Sequence, residues 1–327
     1  MNIVILALPQ VLDMSLALSA NILQTANSLQ SAMGKPATFR ATVVGYEIGM
    51  IRTGAGLGLQ ISHTLNRRRV PDLIVVPGAY VTNAPAMEAW LSQPWIDEVC
   101  RYLRAMVSRG AHVAASCAGT YLLAHAGILE NRRATTTWWL SQDFRTRFPT
   151  VSLVMKQMIV EDGPCTTAGA ALAHADLMLN IVARFGGASL ARLCGRYLLL
   201  DERIIQTRYA VLQHLSMQDG AMRKAEAWVR KNLSKSFDVP TLANALHLTP
   251  RTFARRCRST LNLSPMQFVQ RIRAEVALNL LQTSNVPTEQ IAAQVGYLDL
   301  SAFRRLLLRQ TGRSPAEIRR TRDLSAG

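Results

Sequence analysis

The sequence predicts an α/β half with a doubly wound, mainly parallel sheet, followed by an all-α half built from two helix-turn-helix units. Three observations carry this. Residues 1–200 alternate short apolar runs with helical periodicity, the pattern of a sheet covered on both faces. Residues 221–320 show helical patterning throughout. The positive charge is uneven: residues 221–327 hold 18 Lys+Arg against 7 Asp+Glu, whereas residues 1–220 hold 19 against 14. A basic excess confined to one region is expected of a nucleic-acid-binding module. The 327 residues suffice for about two domains, and the 49% hydrophobic content supplies a core to each.

Ile3–Leu8 is continuously apolar, as in a strand buried on both faces. The first nine residues lack the basic flank and cleavage pattern of a signal peptide, so they read as a strand. Ser15–Ala32 has helical periodicity and ends near Gly34; Phe39–Val44 is a second strand. Asp72–Val76 is a third, stopped by Pro77-Gly78. Trp95–Arg109 is an amphipathic helix ended by Gly110. Ala111–Ser116 is a fourth strand, leading directly into a helix at Gly119–Ala126. Asp176–Phe185 and Ala188–Leu200 are further helices. The pattern turns polar at Ser216–Gly220, which is read as a linker between domains 1–215 and 221–320. Beyond it come Met222–Leu233, the first helix-turn-helix unit, a long helix over Pro265–Leu281 and the second unit.

No apolar run reaches the ~18 residues of a membrane span, so a soluble, cytoplasmic chain with no membrane partner is expected. The five cysteines are widely spaced, with no CxxC pair, and only six histidines are present. Neither a disulfide framework nor a metal site is expected, and nothing calls for a cofactor.

The first helix-turn-helix unit runs Val239–Leu248 and then Thr249–Arg256; the second runs Pro287–Tyr297 and then Leu300–Arg305. Thr249-Pro250 is a helix start, with Thr as N-cap and Pro at the first helical position. Phe253 and Cys257 should face inward, leaving Arg251, Thr252, Ala254 and Arg255 on the face a major groove would meet. In the second unit Gly296 marks the turn, and Phe303 and Leu307 face inward. That leaves Leu300, Ser301, Arg304 and Arg305 outward, with Leu300 suited to a thymine methyl group. Arg256, Arg258 and Arg309 are left to phosphates or solvent. One such pattern also fits an ordinary helical hairpin; two in tandem, with arginines on the second helices, are far more specific.

In the first half, Ala115–Gly119 lies between a strand and a helix, the position of a nucleophile elbow. The following helix N-terminus would favour a thiolate at Cys117, and catalysis would also need a base. The bland alternative is a small residue in a tight turn. His112, in the strand, and His125, over two turns along the helix, read as packed or surface residues. Loops at the carboxyl ends of the strands should form one crevice, lined by Asp13, Gly78, Ala79, Cys117, Ala118, Thr137, Trp138 and Thr167. Its size and polarity suit a small metabolite. Trp138 and Trp139 should point in different directions, as packing groups rather than a cation cage. Arg67–Arg69 reads as a solvated loop.

Residues 221–320 resemble the AraC/XylS family of bacterial transcriptional regulators. The resemblance rests on Leu263-Ser264-Pro265 with Arg271-Ile272-Arg273, on Ile291–Tyr297, and on Thr311–Pro315. It implies a module that binds an asymmetric promoter site and usually activates transcription, with RNA polymerase as a partner. Residues 1–200 resemble the ThiJ/PfpI-like, class I glutamine amidotransferase-type fold through Asp72–Gly78, Cys117–Gly127, Arg133–Trp138, Arg147-Phe148-Pro149, Val160–Gly163 and Thr166–Gly169. The whole chain is similar to the GlxA-type subgroup, which joins these two halves. In that subgroup the Thr137 position is commonly His, and Thr cannot act as a base near neutral pH. Asp13 matches the place where enzymes of the superfamily carry a carboxylate near the cysteine; its alternative role is a helix N-cap. The resemblance therefore implies a homodimeric regulator without catalysis, answering to an amino acid, amine or related nitrogen compound. The alternative is a cysteine-dependent amidohydrolase fused to a DNA-binding module.

Overall fold

Short runs rich in Val and Ile favour strands over helices. In the computed structural model, which describes residues 1–200, 219–261 and 263–325, ten strands form. They are β1 (Asn2–Leu6), β2 (Arg40–Val44), β3 (Gly49–Arg52), β4 (Gly58–Ile61), β5 (Leu73–Val76), β6 (His112–Ser116), β7 (Arg133–Ala134), β8 (Ser152–Leu153), β9 (Ile159–Asp162) and β10 (Cys165–Ala168). Of these, β1, β2 and β5 are of this kind. Six make the main sheet, in the order β2-β1-β5-β6-β10-β9. All neighbours in it are parallel except β10 and β9. Seven helices accompany them: α1 (Asp13–Ala32), α2 (Ala84–Leu91), α3 (Ile96–Ser108), α4 (Gly119–His125), α5 (Ser141–Arg147), α6 (Ala173–Gly186) and α7 (Ala188–Tyr197).

The period of two along each strand sorts its side chains to two cores. Ile3, Ile5, Leu73, Val75 and Ala114 join α1, α6 and α7 in one. Leu6, Ile74, Val76, Val113 and Ala115 join α2, α3 and α4 in the other. This is the expected doubly wound sheet. It adds features that were not expected: the β3–β4 hairpin, helices α2 and α5, the short β7–β8 pair, the inner strand β10 and the antiparallel edge strand β9.

By its internal contacts the chain divides into Met1–Thr207 and Arg208–Gly327. The expected linker lies, up to Gln218, outside the described residues, as does the boundary at 215. Its last two residues already form the start of a helix, as N-cap and first helical residue. Asp219 is the N-cap of α8 (Gly220–Lys231), its carboxylate accepting the Ala221 N–H at 2.9 Å. The second unit continues through α9 (Val239–Ala245), α10 (Pro250–Arg256), α11 (Pro265–Thr283), α12 (Thr288–Gln294), α13 (Leu300–Thr311) and α14 (Pro315–Ser325). Its helix starts follow capping chemistry. Thr249 caps α10 through the Thr252 N–H, and Ser264 with Gln267 forms a full capping box on α11.

Gly296 holds the turn of the second helix-turn-helix at φ +80°, and an added Cβ would lie 2.3 Å from the Leu233 carbonyl oxygen and 2.9 Å from Arg273. Left-handed strain and overpacking act together in Gly296→Ala, for a loss of about 2–4 kcal/mol. Chemical denaturation of the full chain checks this: the transition of the helical half should move to lower denaturant, and an unchanged midpoint would refute the tight-turn assignment.

Candidate nucleic-acid interface and cysteine elbow

Helix packing in the second unit decides which arginines are available to a ligand. Phe253 on α10, Cys257 just after it, and Phe303 and Leu307 on α13 are fully buried. The opposite faces present Arg251, Arg255, Ser301, Arg304 and Arg305 to solvent, with Thr252 and Ala254 half-exposed. Arg251, Arg255 and Arg304 make no ion pair among the described residues, and Arg305 has only a loose contact with Asp299 at 3.7 Å. Arg251, Thr252, Ala254, Arg255, Arg258 and Pro265 line a concavity of ≈ 690 Å³. A helix N-terminus flanked by free guanidinium groups and a concave surface is the equipment for a phosphate backbone and base edges.

Several other arginines hold the scaffold. Arg256 is bound to the cap residue Asp219 at 2.9 and 3.0 Å, which removes it from the phosphate-or-solvent set. Those bonds, with the Ala221 N–H, keep the Asp219 carboxyl below the usual carboxylate range despite the opposing cost of burial. Arg273 donates to the carbonyls of Gly296 at 3.4 Å and Lys235 at 3.2 Å, with its guanidinium carbon 5.3 Å from the Phe237 ring and 5.6 Å from the Tyr297 ring. Arg230 bridges Glu226 on α8 and Glu275 on α11, each at 2.8 Å. Arg309 donates to Gln270 Oε1 at 3.2 Å.

Leu300 departs from expectation. It is half-buried and packs against the core formed by α11, α12 and α13. The cause is the cap: Asp299 accepts the Ser301 and Ala302 N–H groups at 2.8 and 3.1 Å, so Leu300 becomes the first helical residue and turns inward. Leu298, just before the cap, is fully exposed instead.

In the first unit β6 ends at Ser116 and Cys117 takes φ +54°, the strained turn of an elbow. Two glycines permit it. A Cβ on Gly119 would lie 2.5 Å from the Val76 carbonyl oxygen, and one on Gly78 would lie 2.9 Å from Cβ of Cys117. The Cys117 N–H is bonded to the carbonyls of Ala168 at 3.2 Å and Gly169 at 2.9 Å; its own carbonyl accepts the Thr136 hydroxyl at 2.8 Å.

The expected crevice is closed. Cys117, Ala118, Thr137, Thr167 and Ala79 are 0–3% exposed. Gly78 is also buried, and only Asp13 and Trp138 remain half-exposed. The Thr167 hydroxyl is committed to the fold, accepting the Thr135 N–H at 2.9 Å. Thr137 Oγ1 is buried beside the thiol without a partner of hydrogen-bonding geometry. Burial pushes the Cys117 thiol up to about 11, against the smaller opposing pull of the Ala118 N–H and Thr137. The thiolate expected from the helix start is therefore not favoured; desolvation outweighs the dipole of a seven-residue helix.

Asp13 does not cap α1, since Leu12 holds that position. Its carboxylate accepts the Ala55 N–H at 2.9 Å. Partial desolvation is outweighed by that bond and one with Thr53, and its carboxyl lies below the usual range. Trp138 and Trp139 touch each other edge to face, centroids 5.2 Å apart, so a one-turn 3₁₀ segment brings adjacent rings together where divergence was expected. His125 is exposed at the end of α4, and His112 packs against Phe185.

A polar group that sequence reasoning missed lies behind the elbow. His174 on α6 is fully buried between Ser19 of α1, 2.7 Å from Nε2, and Ser116, 2.8 Å from Nδ1. Ser19 donates its proton to the Ser15 carbonyl, so it must accept from Nε2–H; Nδ1 is then free to accept from Ser116. Burial lowers the His174 pKa to about 3, so it stays neutral and acts as a fixed strut behind the elbow. Among the described residues no group of three His, Cys, Asp or Glu could hold a metal, and no helix is long and apolar enough to cross a membrane.

The DJ-1/PfpI family model matches residues 1–184, and a helix-turn-helix domain model matches residues 242–321. The HTH-type transcriptional regulator CdhR of Pseudomonas aeruginosa is 24% identical over 294 residues, covering 88% of this chain and 84% of that one. Isonitrile hydratase of Pseudomonas putida is 28% identical over 144 residues, 44% of this chain and 58% of that enzyme. An AraC family transcriptional regulator from Pseudomonas putida superposes with a TM-score of 0.51 at 21% identity, covering 60% of this chain and 98% of that structure. This chain belongs to the DJ-1/PfpI family and carries an AraC-type helix-turn-helix domain on its C-terminal side.

Proposed function

We propose that the chain is a transcriptional regulator. Its helical half reads promoter DNA in a sequence-specific way, and its α/β half senses a small molecule without chemistry. The observation that carries this is the pair of capped helices, α10 and α13, whose exposed faces hold Arg251, Arg255, Arg304 and Arg305 while Arg230, Arg256 and Arg273 secure the scaffold. A relative that matches most of the chain is named as an HTH-type transcriptional regulator, which supports the reading. A second copy of the chain and RNA polymerase are its proposed further partners. Its effector is proposed to be an amino acid, an amine or a related nitrogen compound. Activation is proposed over repression. The proposed domain limits are 1–215 and 221–320.

The reading of the α/β half as non-catalytic rests on the elbow itself. A thiol pushed up to about 11, sealed from solvent and facing a threonine, lacks both ionisation and base. The elbow turn at Cys117, and the likeness to isonitrile hydratase over part of the chain, favour cysteine-dependent hydration or amide hydrolysis as the second reading. Turnover of an isonitrile or amide that disappears in Cys117→Ala would establish the second reading and end the first.

Three measurements follow. Arg255→Ala should weaken binding to a selected DNA site by about 1–3 kcal/mol and relax its sequence preference. An unchanged footprint would remove Arg255 from the interface. Thermal melting of the full chain with a panel of amino acids and amines should show a selective rise, worth about 2.7 kcal/mol at 100 times the dissociation constant; no rise across the panel would argue against the sensor role. For the elbow, all five cysteines are buried and free. At pH 8 a thiol at about 11 is ionised about 100-fold less than an unperturbed one, so Cys117 in the native protein should resist a thiol reagent that labels it rapidly once unfolded. Rapid native labelling that is lost in Cys117→Ser would show an open, reactive elbow.

A further inference from the structure

Leu298 has a solvent exposure of 104%, the highest of the exposed large hydrophobic residues among the described residues. An isolated exposed leucine is ordinary on a protein surface, and exposure alone carries nothing. Its placement carries more. Leu298 directly precedes Asp299, the N-cap of α13, and the first two turns of α13 present Ser301, Arg304 and Arg305. An apolar residue before a cap ordinarily folds back onto the fourth residue of the helix. Here that residue, Phe303, is already covered: the Tyr297 ring lies 6.1 Å from it, and Leu300 packs on the same core. Leu298 is surplus to the fold. The equivalent residue of the first unit, Leu248 before the cap Thr249, is half-buried, so the exposure is particular to the second unit.

Residues at the start of a recognition helix are the ones that reach base edges. Asp299 does not compete for that place, because its oxygens accept the Ser301 and Ala302 N–H groups. Ser301 and the arginines supply hydrogen bonds, and the apolar partner a base edge offers in the major groove is the C5-methyl group of thymine. We propose that Leu298 is a specificity-determining residue that packs against a thymine methyl in the site read by the second helix-turn-helix. This rests on the DNA-binding reading above. It assigns to Leu298 the contact that sequence reasoning gave to Leu300.

The test uses full-length protein and a duplex site selected from randomised DNA. Each thymine of that site is replaced in turn by uracil, which removes only the methyl group. For the wild-type chain, one replacement within the half read by the second unit should weaken binding about fourfold, the worth of one buried methyl group. Leu298→Ala should bind the thymine and uracil sites equally, and Leu298→Ile should retain the preference. Melting curves of both variants should match the wild type, since the side chain makes no packing contribution. If no uracil replacement weakens wild-type binding, or if Leu298→Ala keeps the same sensitivity, the assignment is overturned while DNA binding stands. If no sequence is selected at all, both the DNA-binding reading and this contact fall.

Discussion

Backbone approach too close for any side chain is the constraint on which each half is built. At the elbow, Gly119 sits where a Cβ would be 2.5 Å from the Val76 carbonyl oxygen, and Gly78 faces Cβ of Cys117 at a distance no second carbon could share. This lets the ends of β5 and β6 meet, and their meeting determines the chemistry. The turn at Cys117 is driven inward, under Thr135, Thr136 and Thr137, each fully buried. Water is excluded, burial pushes the thiol up, and the elbow is a packed corner. The His174 strut behind it, held by serines from α1 and β6, leaves the corner little freedom.

In the helical half the same constraint acts at Gly296, and a cation makes use of it. The absence of a Cβ lets the Arg273 guanidinium reach the Gly296 carbonyl while lying between two aromatic rings. One side chain on α11 thereby ties the residues before α9 to the turn between α12 and α13. The basic excess of this half is thus two populations. Arg230, Arg256 and Arg273 are paired or stacked and hold the helices, whereas Arg251, Arg255 and Arg304 have no ion-pair partner among the described residues. Net charge alone would not separate them; the partners do.

What the sequence made legible follows from how local each signal is. Buried parallel strands and amphipathic helices repeat their pattern over five to twenty residues, and all four strands and all five helices expected in residues 1–200 are present within a few residues of their expected ends. The β3–β4 hairpin was not legible because Gly49–Ile61 is interrupted by glycines and exposes Met50. Strand β9 was missed because Ile159–Asp162 has one fully buried residue and mixes apolar with acidic residues. His174 was invisible for another reason: its partners lie 155 and 58 residues away, and no local pattern announces a buried polar pair. At the interface, the inward and outward faces of α10 followed from periodicity and a recognisable cap. For α13 the face was displaced by one cap residue: with Asp299 as N-cap, Leu300 turns in and Leu298 remains out.

If the α/β half is a sensor, as proposed, a closed elbow limits how a ligand acts on it. A ligand can shift an equilibrium only by binding two states differently. With Cys117, Ala118, Thr137 and Thr167 sealed, a ligand reaching that layer must stabilise a more open arrangement, and its binding energy is reduced by the cost of opening. The groups that would resist opening are the bonds from the Cys117 N–H to the Ala168 and Gly169 carbonyls and from Thr136 to the Cys117 carbonyl. The group that would gain is the buried Thr137 hydroxyl, whose neighbour in the closed state is the Cys117 thiol, a weak partner. A ligand that offers a stronger hydrogen bond would be favoured there only in the open state.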